Sequence, residues 1–325
     1  MILAGDIGGT KTQLGLFEIE RDSLSVIRKA VFPSQNYSGL DQIITEFLVD
    51  LEQTVTAACF GVAGPVIDGN CTTTNLPWVV NSSRLAGQLS LGTVTLLNDL
   101  EAIGYGVPLL EPHQICVLNE GEHVPGNCGI IAAGTGLGEA GLFWDGERHI
   151  PSASEGGHVD FAPRDEIEIE LLRFMFKKFD RVSVERIVSG PGLLLIYEFL
   201  RDSGYRSESE TIAARFAEQD PSSVISAAAL TGECPLSVRA LDLFTGMYGA
   251  TAGNLALTLM ATGGIYIAGG IAPKVIEKLQ DGTFLRAFTD KGRFSALLSK
   301  IPVLVVLNDE VPLLGAARVA AGMHR

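Results

Sequence analysis

The sequence lacks the cysteine pattern and the basic surface that would place it in several large classes of protein. Its five cysteines include no C-x-x-C pair, and an odd, scattered set is typical of a reducing cytoplasm rather than of a disulfide framework. Only 24 Lys and Arg stand against 38 Asp and Glu, for a net charge of −14. Because nucleic acid is bound by a basic face, this balance argues against a nucleic-acid partner.

Targeting and membrane segments are missing as well. The chain begins directly with a strand-like run and shows no signal-peptide pattern. The one apparent membrane candidate in the sequence, Thr251 to Ile271, is interrupted by Asn254 and by two glycine pairs, so it predicts a buried helix, a turn and a strand. We therefore expect a cytoplasmic protein with no membrane partner. Its 325 residues, 46% of them hydrophobic, suffice for a sizeable core in two lobes.

What the sequence does contain begins at its first residues. The run Met1–Phe17 predicts an apolar strand, a turn containing Gly5, Gly8 and Gly9, and a returning strand. Glycines let successive backbone N–H groups point at one anion. Thr10 adds a hydroxyl, Lys11 a cation, and Asp6 a carboxylate suited to hydrated Mg²⁺. A tight hairpin that needs its glycines for shape alone is the alternative.

The same pattern recurs between Ile130 and Phe143, where a strand, a turn over Gly134–Gly138 and a returning strand follow one another. Two copies predict an internally duplicated chain, with one phosphate-binding turn on each half able to grip a triphosphate. Neither turn is a nucleotide motif of another fold. The first lacks the Gly-Lys-Ser/Thr ending of a Walker loop, and the second, a formal G-x-G-x-x-G, runs into a turn at Trp144–Gly146 instead of a helix.

Asn98 and Asp99 follow the predicted buried strand Thr93–Leu97. Asn and Asp are favoured helix caps, and position alone favours a cap here. A functional role is the alternative, because α/β folds place their chemistry at the carboxyl ends of strands. The amino end of a helix would also keep the Asp99 carboxylate ionised and able to act as a base.

Two glycines separate Glu155 from His158, and this loop predicts a place where another molecule comes close. Hydrogen bonds to a polyol fit these side chains better than a metal does, because no cysteine lies near in sequence. Glu185 is most simply a surface residue of a short helix. Asn75, in a polar loop, could offer its amide to a sugar, and the turn Gly269–Gly270 could pass the face of a base.

Taken together in their order, these motifs resemble the bacterial ATP-dependent glucokinases of the actin-like ATPase fold, of the type outside the ROK group. The resemblance runs nearly from end to end. The motifs that carry it are Gly5-Asp6-Ile7-Gly8-Gly9-Thr10, Leu97-Asn98-Asp99, Ala133–Gly138, Glu155–Pro163, Val184-Glu185-Arg186 with Ser189–Gly192, and Ile267–Ile271.

The resemblance implies an α/β protein with the two-lobed actin-like (ribonuclease H-like) fold, in which duplicated mixed β-sheet domains are flanked by helices with a cleft between them. The expected domains are a small one over residues 1–109 plus 310–325 and a large one over residues 110–309. The family also suggests a homodimer.

The resemblance further implies transfer of the ATP γ-phosphate to the 6-hydroxyl of D-glucose, giving glucose 6-phosphate and ADP, with Asp99 as the general base and Asp6 reaching Mg²⁺ through water. The implied hydroxyl partners are Asn98, Glu155, His158 and Glu185. The implied nucleotide-binding residues are Gly5, Asp6, Ile7, Gly8, Gly9, Thr10, Gly134, Thr135 and Gly136, with Gly269 and Gly270 near the adenosine.

Lys11 departs from the family, in which Asn is expected, whereas Lys is typical of the related ROK sugar kinases. ROK proteins also carry a clustered cysteine zinc motif, which this sequence lacks. A kinase for another hexose, or one using polyphosphate, remains an alternative, because every pyranose hydroxyl meets the same residue types. A sugar-sensing regulator on the same fold would need a DNA-binding helix-turn-helix, for which no room is expected before Ile2.

Overall fold

A computed structural model describes residues 1–20, 23–51, 54–73 and 76–323. The chain divides into two compact units. Unit 1 comprises Met1–Pro112, Pro151–Ala153 and Asn308–Arg325, and unit 2 comprises His113–Ile150 and Ser154–Leu307.

The described residues form fourteen strands and twelve α-helices. The strands are β1 Ile2–Ile7, β2 Lys11–Glu20, β3 Ser23–Pro33, β4 Ala57–Val62, β5 Val66–Ile67, β6 Asn70–Thr72, β7 Val79–Asn81, β8 Thr95–Asn98, β9 Ile115–Asn119, β10 Cys128–Ala133, β11 Leu137–Trp144, β12 His149–Ser154, β13 Gly264–Ala268 and β14 Val303–Val306. The helices are α1 Leu40–Phe47, α2 Ser82–Leu89, α3 Asp99–Gly106, α4 Glu166–Met175, α5 Gly190–Asp202, α6 Glu210–Phe216, α7 Pro221–Leu230, α8 Pro235–Leu259, α9 Ile276–Gln280, α10 Thr283–Thr289, α11 Ser295–Leu298 and α12 Val311–Ala320.

Unit 1 is built on a mixed sheet with the strand order β3-β2-β1-β4-β8. The predicted first hairpin is present: β1 and β2 pair antiparallel, from Ile2 opposite Phe17 to Ile7 opposite Thr12. On its other side β1 pairs parallel with β4, and β4 pairs parallel with β8. Helix α12, from the end of the chain, packs against α3 and the sheet, where Gly315 leaves no space for a Cβ beside the Ala102 carbonyl.

Unit 2 repeats this arrangement in its own sheet, ordered β12-β11-β10-β13-β14-β9. Strands β10 and β11 form the second predicted hairpin, from Cys128 opposite Leu142 to Ala133 opposite Leu137. Strand β10 then pairs parallel with β13, and β13 with β14. Both glycine turns are followed by strands. The predicted fold class and its duplication are therefore confirmed.

The core of unit 2 surrounds α8. The apolar stretch Arg239–Met260 predicts this long helix, which begins at Pro235 and ends at Leu259. Tyr248 and Phe284 meet edge to face with ring centroids 5.5 Å apart. Gly249 and Gly253 let α10 approach, because a Cβ at either position would overlap a backbone carbonyl of that helix. In the described residues, no single helix has the length and hydropathy to cross a membrane; α7 and α8 reach that threshold only as a pair, bent by 101°.

Two helix ends predicted from the sequence are wrong. Apolar residues at helical spacing predict a helix over Leu40–Leu51, but α1 ends at Phe47 and Asp50 has a left-handed φ of 61°. Gly190 and Pro191 are typical of the end of the short helix predicted over Val184–Val188, but they begin α5 instead. Ser189 caps that helix by accepting a hydrogen bond from the Gly192 N–H at 3.1 Å. Proline suits the first helical turn because its missing N–H would have had no partner there.

Candidate active site

The first glycine turn connects β1 and β2 and is closed by its own backbone. The Gly8 N–H donates to the Lys11 carbonyl at 3.0 Å. Ser34, which follows β3, braces the turn: its hydroxyl donates to the Gly8 carbonyl at 2.8 Å, and its N–H donates to the Thr10 carbonyl at 3.0 Å. The Gly8 N–H is thus used within the turn itself.

Carboxylates gather beside this turn. The Asp6 side chain, on β1, has a pKa raised to about 7, first by burial and then by Asp99, while Lys11 opposes the shift and Asp309 adds to it. Lys11 Nζ lies 3.1 Å from Asp309 Oδ2. Carboxylate oxygens are the ligands that Mg²⁺ prefers, and this concentration of negative charge favours a cation.

These carboxylates do not converge as a direct ligand set. Within residues 1–20, 23–51, 54–73 and 76–323, no group of three or more His, Cys, Asp or Glu side chains is placed to hold a metal ion. Mg²⁺ usually keeps several waters and takes one or two carboxylates together with substrate phosphates. The donor set at Asp6 therefore fits a hydrated Mg²⁺ rather than a caged ion.

Asn98 and Asp99 share the junction between β8 and α3. Asn98 is the helix cap: its Oδ1 accepts from the Leu100 N–H at 3.0 Å, and Glu101 Oε2 accepts from the Asn98 N–H at 3.1 Å. The Asn98 amide also donates to the Gly64 carbonyl at 3.1 Å. Asp99 is the first helical residue, and its Oδ1 accepts from the Leu100 N–H. The expected cap is thus provided by Asn98, with Asp99 one residue further in.

The second glycine turn, between β10 and β11, is also closed by a hydrogen bond of its own backbone. The Gly134 N–H donates to the Gly136 carbonyl at 2.8 Å. Glu185 packs onto this turn, and its Oε2 accepts from the Leu137 N–H at 3.0 Å. A Cβ at Gly136 would lie 2.5 Å from that oxygen. The prediction of Glu185 as a plain surface residue is wrong, because the neighbouring turn holds its carboxylate half-buried.

Three of the predicted hydroxyl-binding residues lie together in unit 2. Gly156–His158 forms a short 3-10 helix. It places His158 Nε2 3.9 Å from Glu155 Oε2 and His158 Nδ1 4.0 Å from Glu185 Oε1. The Val184 N–H donates to the Val159 carbonyl at 2.9 Å and fastens the two segments to each other.

Two further positions predicted to bind ligand are the turn Gly269–Gly270 and Asn75. Gly269, with a φ of 83°, lies against the end of β10, where a Cβ would overlap the Ala133 carbonyl. The turn Gly269–Gly270 thus sits beside the second glycine turn. Asn75 lies outside the described residues.

The chain is similar to known proteins in both sequence and structure. The family model for Glucokinase matches residues 3–323. The chain belongs to the glucokinase family. It is 45% identical to the glucokinase of Nostoc sp. over 99% of each chain. A crystal structure of glucokinase from an Antarctic psychrotroph is 30% identical, with a TM-score of 0.85 over 99% of this chain and 98% of that one.

A more distant glucokinase shares the fold. The ROK family glucokinase from Streptomyces griseus, in complex with glucose and AMPPNP, is 20% identical, with a TM-score of 0.67 over 99% of each chain. At this identity the likeness concerns the fold alone.

The sequence did not identify two side chains that shape the candidate site. Ser34 is fully buried against the first turn, and Asp309 is the ion-pair partner of Lys11. A serine directly after a strand and an acidic pair before the last helix were the only local signals. Neither signal identifies the distant partner.

Proposed function

We propose that this protein transfers the γ-phosphate of ATP to the 6-hydroxyl of D-glucose, giving glucose 6-phosphate and ADP. Membership of the glucokinase family supports a glucose kinase. The observation that carries the proposal is the hydrogen bond from the Leu137 N–H to Glu185 Oε2. This bond holds a carboxylate suited to bind sugar against a turn suited to bind phosphate. A sugar kinase needs these two sites close together.

Glu155, His158 and Glu185 are suited to bind the sugar hydroxyls. Carboxylates accept hydrogen bonds from hydroxyls, and an imidazole can donate with one nitrogen and accept with the other. The separations of 3.9 and 4.0 Å between these side chains are too long for hydrogen bonds. The three side chains are therefore not hydrogen-bonded to one another, and their carboxylates keep acceptor capacity for a ligand.

The first glycine turn and Asp6 are suited to the phosphates and to Mg²⁺. When bound, Mg²⁺ would neutralise phosphate charge. A nearby cation would also stabilise the ionised form of Asp6, whose pKa is otherwise raised to about 7 by burial and by Asp99. Lys11, beside Asp309, adds a positive charge at the edge of the turn.

Asp99 is suited to act as the general base. The amino end of α3 favours a negative charge on its carboxylate, and a carboxylate can accept a proton. In the proposed step, Asp99 takes the proton of the 6-hydroxyl while that oxygen bonds to the γ-phosphorus. The bond from the γ-phosphorus to the bridging oxygen breaks, and ADP leaves. Phosphoryl transfer needs positioning and charge neutralisation more than covalent help, so one base, backbone donors and a metal suffice.

A coupled assay over a panel of hexoses, each with ATP and with polyphosphate, tests the proposal. We expect the highest kcat/KM for glucose with ATP, and glucose 6-phosphate as the product. A preference for another hexose or for polyphosphate would replace the proposed substrates. No phosphorylation of any sugar would refute the proposed activity.

A further inference from the structure

Glu139 is a buried carboxyl group that the proposed reaction does not use. It lies on β11, opposite Ile131 of β10, and is 7% exposed. Glu168, the other buried acidic residue in the described part of the chain, accepts hydrogen bonds from Arg164. Burial is the cause that acts on the pKa of the Glu139 carboxyl. Burying a carboxylate without a compensating charge is costly, and such a group tends to keep its proton instead.

The Glu139 carboxyl supports the loop that carries Glu155 and His158. A Cβ added at Gly156 would overlap Glu139 Oε2 and would lie 2.9 Å from Cδ. At the neighbouring Gly157, a Cβ would overlap the Leu137 carbonyl. The loop therefore rests directly on β11, and the carboxyl fills the space beneath it.

The surroundings of Glu139 favour its neutral form. Burial raises the pKa of this carboxyl to about 7. Tyr248 faces it from α8, donates its hydroxyl to the Ile131 carbonyl at 3.4 Å, and is itself kept neutral by burial. The titratable groups of the covering segments are Glu155, His158 and, beside the glycine turn, Glu185. Two of these three are acids, so they give an ionised Glu139 little compensation.

We infer that Glu139 is a positioning residue for the sugar site. Its neutral carboxyl supports the Glu155–His158 loop, and loss of its proton displaces Gly156 and weakens glucose binding. The inference rests on the proposed function, because it assigns Glu155 and His158 to glucose. Ionisation must either admit water beneath the loop or push the loop away, and either change disturbs the spacing of these two side chains.

Glucose binding measured by calorimetry without nucleotide tests this inference and leaves Asp6 out of the experiment. If only the neutral form binds, the apparent Kd of the unaltered protein rises about tenfold between about pH 6 and about pH 8 from this group alone. At the higher pH, binding takes up about one proton, which is read by repeating the titration in buffers of different ionisation enthalpy. Glu139→Gln removes both effects.

Glu147→Gln is the matched control, because it removes the same charge from the exposed turn between β11 and β12. It should keep the pH dependence of the unaltered protein. Every other group is common to all three proteins, so its contribution cancels in the comparison. If Glu139→Gln binds glucose with the same pH dependence as the unaltered protein, the inference is wrong. Absence of glucose binding in all three proteins refutes the proposed function instead.

A second pair of variants tests the contact itself. Gly156→Ala should weaken glucose binding at about pH 6, because the new methyl group overlaps the Glu139 carboxyl. Glu139→Ala in the same chain should restore part of the affinity. Two additive penalties would show that the carboxyl and the loop act independently, and that outcome overturns the inference even if Glu139→Gln fails to fold.

Discussion

Replacing Glu139 by Gln should change the pH dependence of the free energy of unfolding by a predictable amount. The folded state raises the pKa of this carboxyl from 4.5 to about 7. The folded protein therefore holds the proton more tightly than the unfolded chain does. The stabilising contribution is complete below the unfolded pKa and is lost as the pH rises through the folded pKa. The shift corresponds to about 3 kcal/mol. Solvent screening reduces this value little, because Glu139 is 7% exposed.

Glutamine has nearly the same shape as glutamate and no charge, so the variant does not lose this stability as the pH rises. The difference in unfolding free energy between Glu139→Gln and the unaltered protein should grow by about 2–3 kcal/mol between about pH 5 and about pH 8. Urea unfolding followed by tryptophan fluorescence measures it. The chain has two tryptophans, and a Trp78→Phe background leaves Trp144, on the same strand as Glu139, as the reporter for unit 2.

Other titrating groups are common to both proteins, so they cancel in the difference. Glu147→Gln, made in the same background, should show no such growth. The reasoning fails if the difference between Glu139→Gln and the unaltered protein is the same at both pH values. That result would mean that the pKa of the Glu139 carboxyl is the same in the folded and unfolded states.

The remaining predictions concern the proposed reaction. Asp99→Asn should keep the glucose Kd within a few-fold and lower kcat by roughly 10²–10⁴, the usual contribution of a general base; near-normal kcat would leave Asp99 as part of the helix start only. Glu155→Gln and His158→Ala should each weaken glucose binding by about 1–3 kcal/mol while sparing ATP, and the reverse pattern in calorimetry would mean that the sugar and nucleotide sites are misassigned. Ser34→Ala removes the hydroxyl that braces the Gly8 carbonyl, so the ATP Kd should rise more than the glucose Kd; equal changes would indicate a general loss of stability. ATP hydrolysis without sugar should be at least about 10²-fold slower than glucose phosphorylation, and xylose should raise it; an ADP-release assay giving equal rates with and without glucose would contradict sugar-dependent assembly of the site.

Local patterns in the sequence determined the two hairpins, the long helix α8 and the start of α3. Strand alternation, glycine turns and cap residues act over a few positions, so their physics is complete within a short window. The same locality explains the two errors. Gly190 and Pro191 suit both the end of one helix and the first turn of the next, and the hydrogen bond from the Gly192 N–H to Ser189 Oγ decides between them.

The tertiary structure alone decided which side chains meet. Glu185 contacts a turn 48 residues away, and Lys11 pairs with Asp309 across 298 residues. No periodicity encodes such pairs, because they depend on how sheets and helices stack once the apolar faces are buried. Glu139 shows the same limit: on the sequence it is one polar residue in a strand, and only tertiary packing, with Gly156 against its carboxyl, buries it and raises its pKa.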